Sequence, residues 1–179
     1  WIKVDGTKVD HPVCQSPTDD YFYLRHSAYD KSYVSSGAIY TELSNTTTFK
    51  DRVTVIYGHN NYGDSMFTTL HKFESKDFFD SHPYFYIYTP DGREIVYHIY
   101  SAATVKDTDD VYLTGFENDE AYQSYLDMTK RIAIYDTGVE VTTADSVVTL
   151  STCTSASDEH RFVVIGVKEQ ENQMGQTKN

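Results

Sequence analysis

Apolar and polar positions alternate in short runs along most of this chain, and turn residues separate the runs. "WIKVDGTKVDHPV", residues 1–13, alternates about Asp5-Gly6, a turn dipeptide, and predicts an N-terminal strand pair. Residues 15–36 are polar, with Pro17 and Gly37 as punctuation, and predict loop with room for a short helix. "GAIYTEL" predicts a short strand. "RVTVIYGHN", residues 52–60, is a β-branched run that stops at Gly58-His59-Asn60. "YFYIYTPDGREIVYHIYSAATV", residues 84–105, predicts two strands joined through Pro90-Asp91-Gly92. "SVVTLSTC" and "RFVVIGV" supply the last two strands.

The helical period of 3.6 shows clearly in one place. In "ENDEAYQSYLDMTKR", residues 117–131, acids crowd the first turn and Lys130-Arg131 the last, as the helix dipole favours. Ala121, Tyr122, Tyr125, Leu126 and Met128 form its apolar stripe. "DSMFTTLHKF", residues 64–73, predicts a second helix from Met66, Phe67, Leu70 and Phe73, with Asp64 or Ser65 as N-cap. Many short strands with turn signals give a mainly β chain. Pattern alone leaves a barrel and a sandwich both open.

Composition narrows the function. At 179 residues the chain predicts a single domain, 1–179, with a sizeable core. Its 16 Tyr suit strands and half-wet surfaces. Lys and Arg number 15 against 27 Asp and Glu, for a net charge of −12. Such a surface repels phosphate, so no nucleic-acid partner is expected. The two cysteines form no disulfide framework and no CxxC or Cys/His cluster, so no metal is expected. No apolar run approaches the ~18 residues of a membrane span. The start at Trp1 rather than Met reads as a fragment or processed form.

The chemistry centres on "TLSTCTSASDEHRFVVIGV", residues 149–167. A lone cysteine in a β protein is ordinarily a small buried residue. Cys153, however, ends its strand among the small polar residues Ser151, Thr152, Thr154, Ser155 and Ser157, and Arg161 begins the next. The two side chains can converge at one end of the sheet, where a guanidinium favours thiolate or donates to an oxyanion. The plainer fate of Arg161 is a solvated charge beside Asp158 and Glu159. Of the 7 histidines, His59 ends a strand after a glycine, whose backbone is free to turn towards a cleft. His160 competes by proximity to Cys153, but it adjoins Arg161, and alternation sends neighbouring strand residues to opposite faces.

These residues resemble the catalytic signature of the sortases: "TLSTC" followed by Arg161, with "YGHN" at an upstream strand end. "WIKVDGTKVDHPV", "YGHNNYGDSMFTTLHKF" and "YFYIYTPDGREIVYHIYSA" resemble class B in particular, and the likeness runs from Trp1 to about Val167. The resemblance implies a closed eight-stranded β-barrel with a helix inserted before the cysteine strand and short peripheral helices. It implies a cysteine transpeptidase with Cys153 as nucleophile, His59 as acid/base and Arg161 as oxyanion or substrate clamp, and no cofactor. Ser151, Thr152 and Tyr135 are expected to line the substrate groove. The expected partners are surface proteins bearing a C-terminal sorting signal, cleaved after Thr, and an amine of a peptidoglycan stem or cross-bridge or of a pilin lysine. The expected location is the extracellular face of a Gram-positive membrane, through an N-terminal anchor outside this chain. The chain departs from the class pattern at Ser155, where no acid stands to orient a histidine, at Cys14, which replaces a more usual aliphatic, and in lacking the N-terminal helical segment. Two other readings stay open. One is a different cysteine peptidase acting on peptide or cell wall, although His59 preceding Cys153 and the lack of a helix starting at the cysteine argue against it. The other is a non-catalytic β-barrel binding module with an inert Cys153.

Overall fold

The computed structural model describes residues 1–61, 63–155 and 159–175. Among these, nine strands form one sheet: β1 (Ile2–Val4), β2 (Asp10–His11), β3 (Val13–Cys14), β4 (Ile39–Tyr40), β5 (Val53–Tyr57), β6 (Tyr84–Tyr88), β7 (Arg93–Lys106), β8 (Val147–Cys153) and β9 (His160–Gln173). Their spatial order is β2-β1-β6-β7-β9-β8-β5-β4-β3. The two edges, β2 and β3, are consecutive in sequence with only Pro12 between them. The sheet must therefore curl until its edges meet, and the result is a mainly β, nearly closed barrel. Nine strands stand where eight were expected because Pro12 splits residues 10–14. Proline cannot donate to a ladder, so the chain pairs with β1 before it and with β4 after it.

The predicted hairpin forms as β6 and β7, and Gly92 at φ +83° closes its turn. β8 and β9 read as nearly unbroken apolar runs because both of their faces are covered. Val148, Leu150, Phe162 and Val164 point into the barrel, while Val147, Val163, Ile165 and Val167 belong to a second apolar layer outside it. The helix α2 (Asp119–Arg131) closes that outer layer. Its buried residues are Tyr122, Tyr125, Leu126 and Thr129, so the stripe runs one position later than Ala121 and Met128 suggested. The Thr129 hydroxyl shares a hydrogen bond with Tyr100 inside this layer. Asn118 caps the helix, its side chain accepting from the Ala121 amide at 2.9 Å.

The second predicted helix is displaced. A 3-10 helix occupies Thr68–Glu74, and neither Asp64 nor Ser65 caps it. Asp64 and Met66 hold φ of +60° and +51°, which no helix can incorporate, so the turn starts only after them. A six-residue helix, α1 (Lys76–Ser81), follows, with no apolar period to announce it. β9 runs to Gln173, beyond the expected Val167. That polar end is held by pairing with the start of β7, and Glu171 reaches Arg93 at 3.4 Å.

The expectation of a membrane-anchored protein is corrected. Among the described residues no helix is long and apolar enough to cross a membrane.

Candidate active site

Antiparallel pairing of β8 with β9 sets Cys153 directly opposite Arg161. Directly opposed residues present their side chains on the same face. Here it is the outer face, shared with Ser151 and Val163, beyond the area that α2 covers. The hydrophobic period fixes this: Phe162 and Val164 must face the interior, so Arg161 cannot. His160 pairs with Lys106 of β7, and its carbonyl accepts from Arg161 Nη1 at 3.0 Å. Its side chain is not part of the cleft wall.

Cys153 and Arg161 open into a cleft of about 540 Å³ that His59 also lines. The strand β5 runs parallel to β8 and brings His59 to the same end of the sheet. Gly58 lets the chain leave the strand there, for a reason other than the one the sequence suggested. A Cβ on Gly58 would lie 2.4 Å from Ile39 Cδ1 and 2.7 Å from the Phe67 ring, so close packing demands the glycine. His59 Nε2 lies 2.7 Å from the Leu24 carbonyl. A carbonyl only accepts, so Nε2 carries the proton and Nδ1 is left to exchange one.

Aromatic rings build one wall. Tyr40, Tyr57 and Tyr112 stack in sequence, with centroids 5.4 and 6.1 Å apart. Tyr112 shares a 2.9 Å hydrogen bond with Ser151, and burial pushes its phenol up to about 12. Two carboxylates complete the cleft. Asp107 lies 3.4 Å from Arg161 Nη2. Glu42 takes a hydrogen bond from Tyr57, yet its pKa is raised, by burial first and by the charge of Asp20 second. Among the described residues no cluster of three His, Cys, Asp or Glu is arranged to hold a metal.

The structure thus gathers Cys153, His59, Arg161, Ser151 and Thr152 at one cleft. Thr152 contributes to the wall while its side chain is buried on the interior parity. Tyr135 lies elsewhere: its hydroxyl donates to the Phe73 carbonyl at 2.7 Å and its ring packs near Phe79. It follows α2 in sequence, and nearness in the chain suggested the groove. The segment instead turns back along β7, where the Ile134 amide bonds to Ala102. Glu42, Tyr57, Asp107 and Tyr112 were missed, since nothing in their local sequence distinguishes them from surface or core residues. Cys14 is half-buried against Tyr23 and Tyr40 and does not itself line the cleft, and burial raises its thiol pKa. Ser157 and Asp158 lie outside the described residues.

Comparison with known proteins agrees with this geometry. Residues 2–169 match the family described as "Sortase domain". Sortase B of Listeria monocytogenes is 34% identical over 170 residues, covering 93% of this chain and 67% of that protein. Sortase B of Staphylococcus aureus is 32% identical over 168 residues, covering 92% and 67%. Among solved structures, Clostridium perfringens sortase B superposes with a TM-score of 0.87 at 31% identity, covering 95% of this chain and 92% of that one. A Staphylococcus aureus sortase B–substrate complex gives 0.86 at 30% identity, covering 95% and 78%. The barrel, the inserted helix and the matches along nearly the whole chain lead to one conclusion: the chain belongs to the sortase family, class B, and is a cysteine transpeptidase.

Proposed function

We propose that this transpeptidase cleaves a C-terminal sorting signal after Thr and transfers the new acyl end to a cell-wall or pilin amine. Cys153 is the nucleophile, His59 the acid and base, and Arg161 the donor to the oxyanion. The observation that carries the reading is the direct cross-strand pairing of Cys153 with Arg161 at the mouth of a cleft that His59 shares.

Each step follows from those positions. The Cys153 thiolate adds to the Thr carbonyl carbon, and the Arg161 guanidinium stabilises the charge that moves onto oxygen. The carbon–nitrogen bond breaks as His59 Nδ1–H protonates the leaving amine. A thioester remains on Cys153. An incoming amine attacks it and gives a proton to His59, and the carbon–sulfur bond breaks to restore the thiolate. The Leu24 carbonyl keeps the imidazole turned so that the same nitrogen serves both half-reactions. A thioester suits transfer, since it survives long enough for an amine to compete with water. Glu42 and Asp107 line the cleft, where a carboxylate can accept a hydrogen bond from the incoming amine. Ser151 and Thr152 form the floor under the sorting peptide.

Mass spectrometry of the protein mixed with candidate sorting peptides, with and without added amines, tests this. The expected result is a thioacyl adduct on Cys153, amide exchange to the amine, and neither product with Cys153→Ala. Hydrolysis alone would make it a peptidase, and an adduct-free, unreactive Cys153 would leave a binding module.

A further inference from the structure

The outlet that His59 needs leaves a gap behind the nucleophile. The parallel ladder between β5 and β8 ends where the Gly58 amide donates to the Ser151 carbonyl at 3.1 Å. Were β5 to continue, the backbone N–H of residue 60 would serve the Cys153 carbonyl next. Because the chain turns away at Gly58, that carbonyl loses its strand partner. Two side chains take the place of the strand. Asn60 Nδ2 donates to the Cys153 carbonyl at 3.0 Å, and His71 Nε2 lies 3.1 Å from the same oxygen.

His71 is itself held on three sides. Its Nδ1 lies 2.7 Å from Glu74 Oε1, and its ring stacks on Phe162 with centroids 5.1 Å apart. A carbonyl only accepts, so a hydrogen bond to Cys153 uses a proton on Nε2, and Asn60 Nδ2 lies 3.4 Å from that same nitrogen. Phe162 faces the barrel interior while its neighbour Arg161 faces the cleft. His71 therefore supports the strand end from the side away from the cleft, and neither His71 nor Asn60 lines the cleft wall.

We propose that His71, together with Asn60, is a positioning residue for the nucleophile: the pair replaces the hydrogen bond that β5 withdraws from the Cys153 carbonyl and so fixes the strand end that carries the thiol opposite Arg161. This rests on the transpeptidase assignment of Cys153 given above. Position matters because a displacement of about 1 Å from a change remote from the chemistry can cost roughly 10²-fold in rate.

The test compares His71→Phe, which keeps the stacking ring and loses both hydrogen bonds, with His71→Gln, which keeps a donor. Peptide turnover and site-resolved alkylation of Cys153 by iodoacetamide are measured on each, with thermal unfolding to check the fold. The expected result for His71→Phe is kcat lowered about 10- to 100-fold with KM nearly unchanged, and slower alkylation. His71→Gln should recover most of both. Wild-type kcat and alkylation in His71→Phe would overturn the proposal, as would equal losses in a folded His71→Gln. If His71→Phe does not fold, Glu74→Ala serves instead, since Glu74 is a solvent-facing side chain. It should lower kcat in the same direction, and an unchanged kcat would count against the proposal. Alkylation needs no peptide. Absence of turnover in the wild type would defeat the functional reading, while the alkylation rates would still decide the role of His71.

Discussion

Arg161 shows how much of this site is geometry and how much is charge. Its guanidinium donates to the His160 carbonyl and lies 3.4 Å from Asp107, contacts that hold its plane. A lysine keeps the charge and loses the planar fork. Arg161→Lys should therefore lower kcat/KM by about 10²–10³-fold, the typical loss for one oxyanion donor. Near wild-type kcat/KM with a sorting peptide would reduce Arg161 to an electrostatic neighbour. Glu42 makes a second point at this scale. Its folded pKa is raised, so the protonated form suits the folded state better. The associated stability is present below the unfolded value of about 4.3 and is lost as pH rises through the folded one. Ionised Glu42 consequently weakens the fold at neutral pH. Glu42→Gln keeps an acceptor for Tyr57 and should melt at a higher temperature than wild type at pH 7. That gain should vanish near pH 4, and equal melting at pH 7 would contradict the argument.

Among the elements, α2 and the β8–β9 pair were the most legible. The helix announced itself through charge and period, and Asp119, Glu120 and Lys130-Arg131 sit where the dipole favours them. Asn118→Ala removes the cap and should cost about 1 kcal/mol. For a chain of this size that lowers Tm by roughly 2–4 °C, measurable by calorimetry, with little effect on turnover because α2 lies beyond the cleft wall. An unchanged Tm would mean that packing of Tyr122, Tyr125 and Leu126 alone holds the end of the helix. The 64–73 segment was misplaced because its apolar spacing is real but its backbone is not helical throughout. Leu70 and Phe73 are buried as expected, while the left-handed Asp64 and Met66 delay the turn.

On the scale of the whole molecule, the barrel and the cleft share their central strands. β9 pairs with both β7 and β8, and Gly166 sits where the stacked rings of Phe85 and Tyr97 cross it. A Cβ there would lie 2.4 Å from Phe85 Cε1 and 2.9 Å from Tyr97 Cβ. Gly166→Ala should destabilise by about 1–3 kcal/mol through overpacking. The urea midpoint should fall, and activity should disappear in the same transition as the barrel, because Cys153 and Arg161 ride on the strands that Gly166 joins. Loss of activity well before unfolding would show that the cleft melts separately.

The sequence by itself determined what depends on local period and short separation. The strands, the hairpin at Gly92 and the helix before the cysteine strand followed from alternation, turn chemistry and helix ends. So did the meeting of Cys153 with Arg161, because an antiparallel pair with a short connection has its register set by which residues must be buried. The closure of the barrel and the class of enzyme came from resemblance, since period alone also allowed a sandwich. Tertiary structure decided what long connections bring together. The parallel pairing of β5 with β8 delivered His59 to Cys153, and the Leu24 carbonyl, remote in sequence, selected its proton-bearing nitrogen. The stack of Tyr40, Tyr57 and Tyr112, the carboxylates of Glu42 and Asp107, and the Asn60–His71 support come from separate segments with no shared motif. Non-local pairing depends on the burial of the entire sheet at once, so no single stretch of sequence carries it, and Tyr135, assigned to the groove by its nearness in the chain, lies against Phe73 and Phe79 instead.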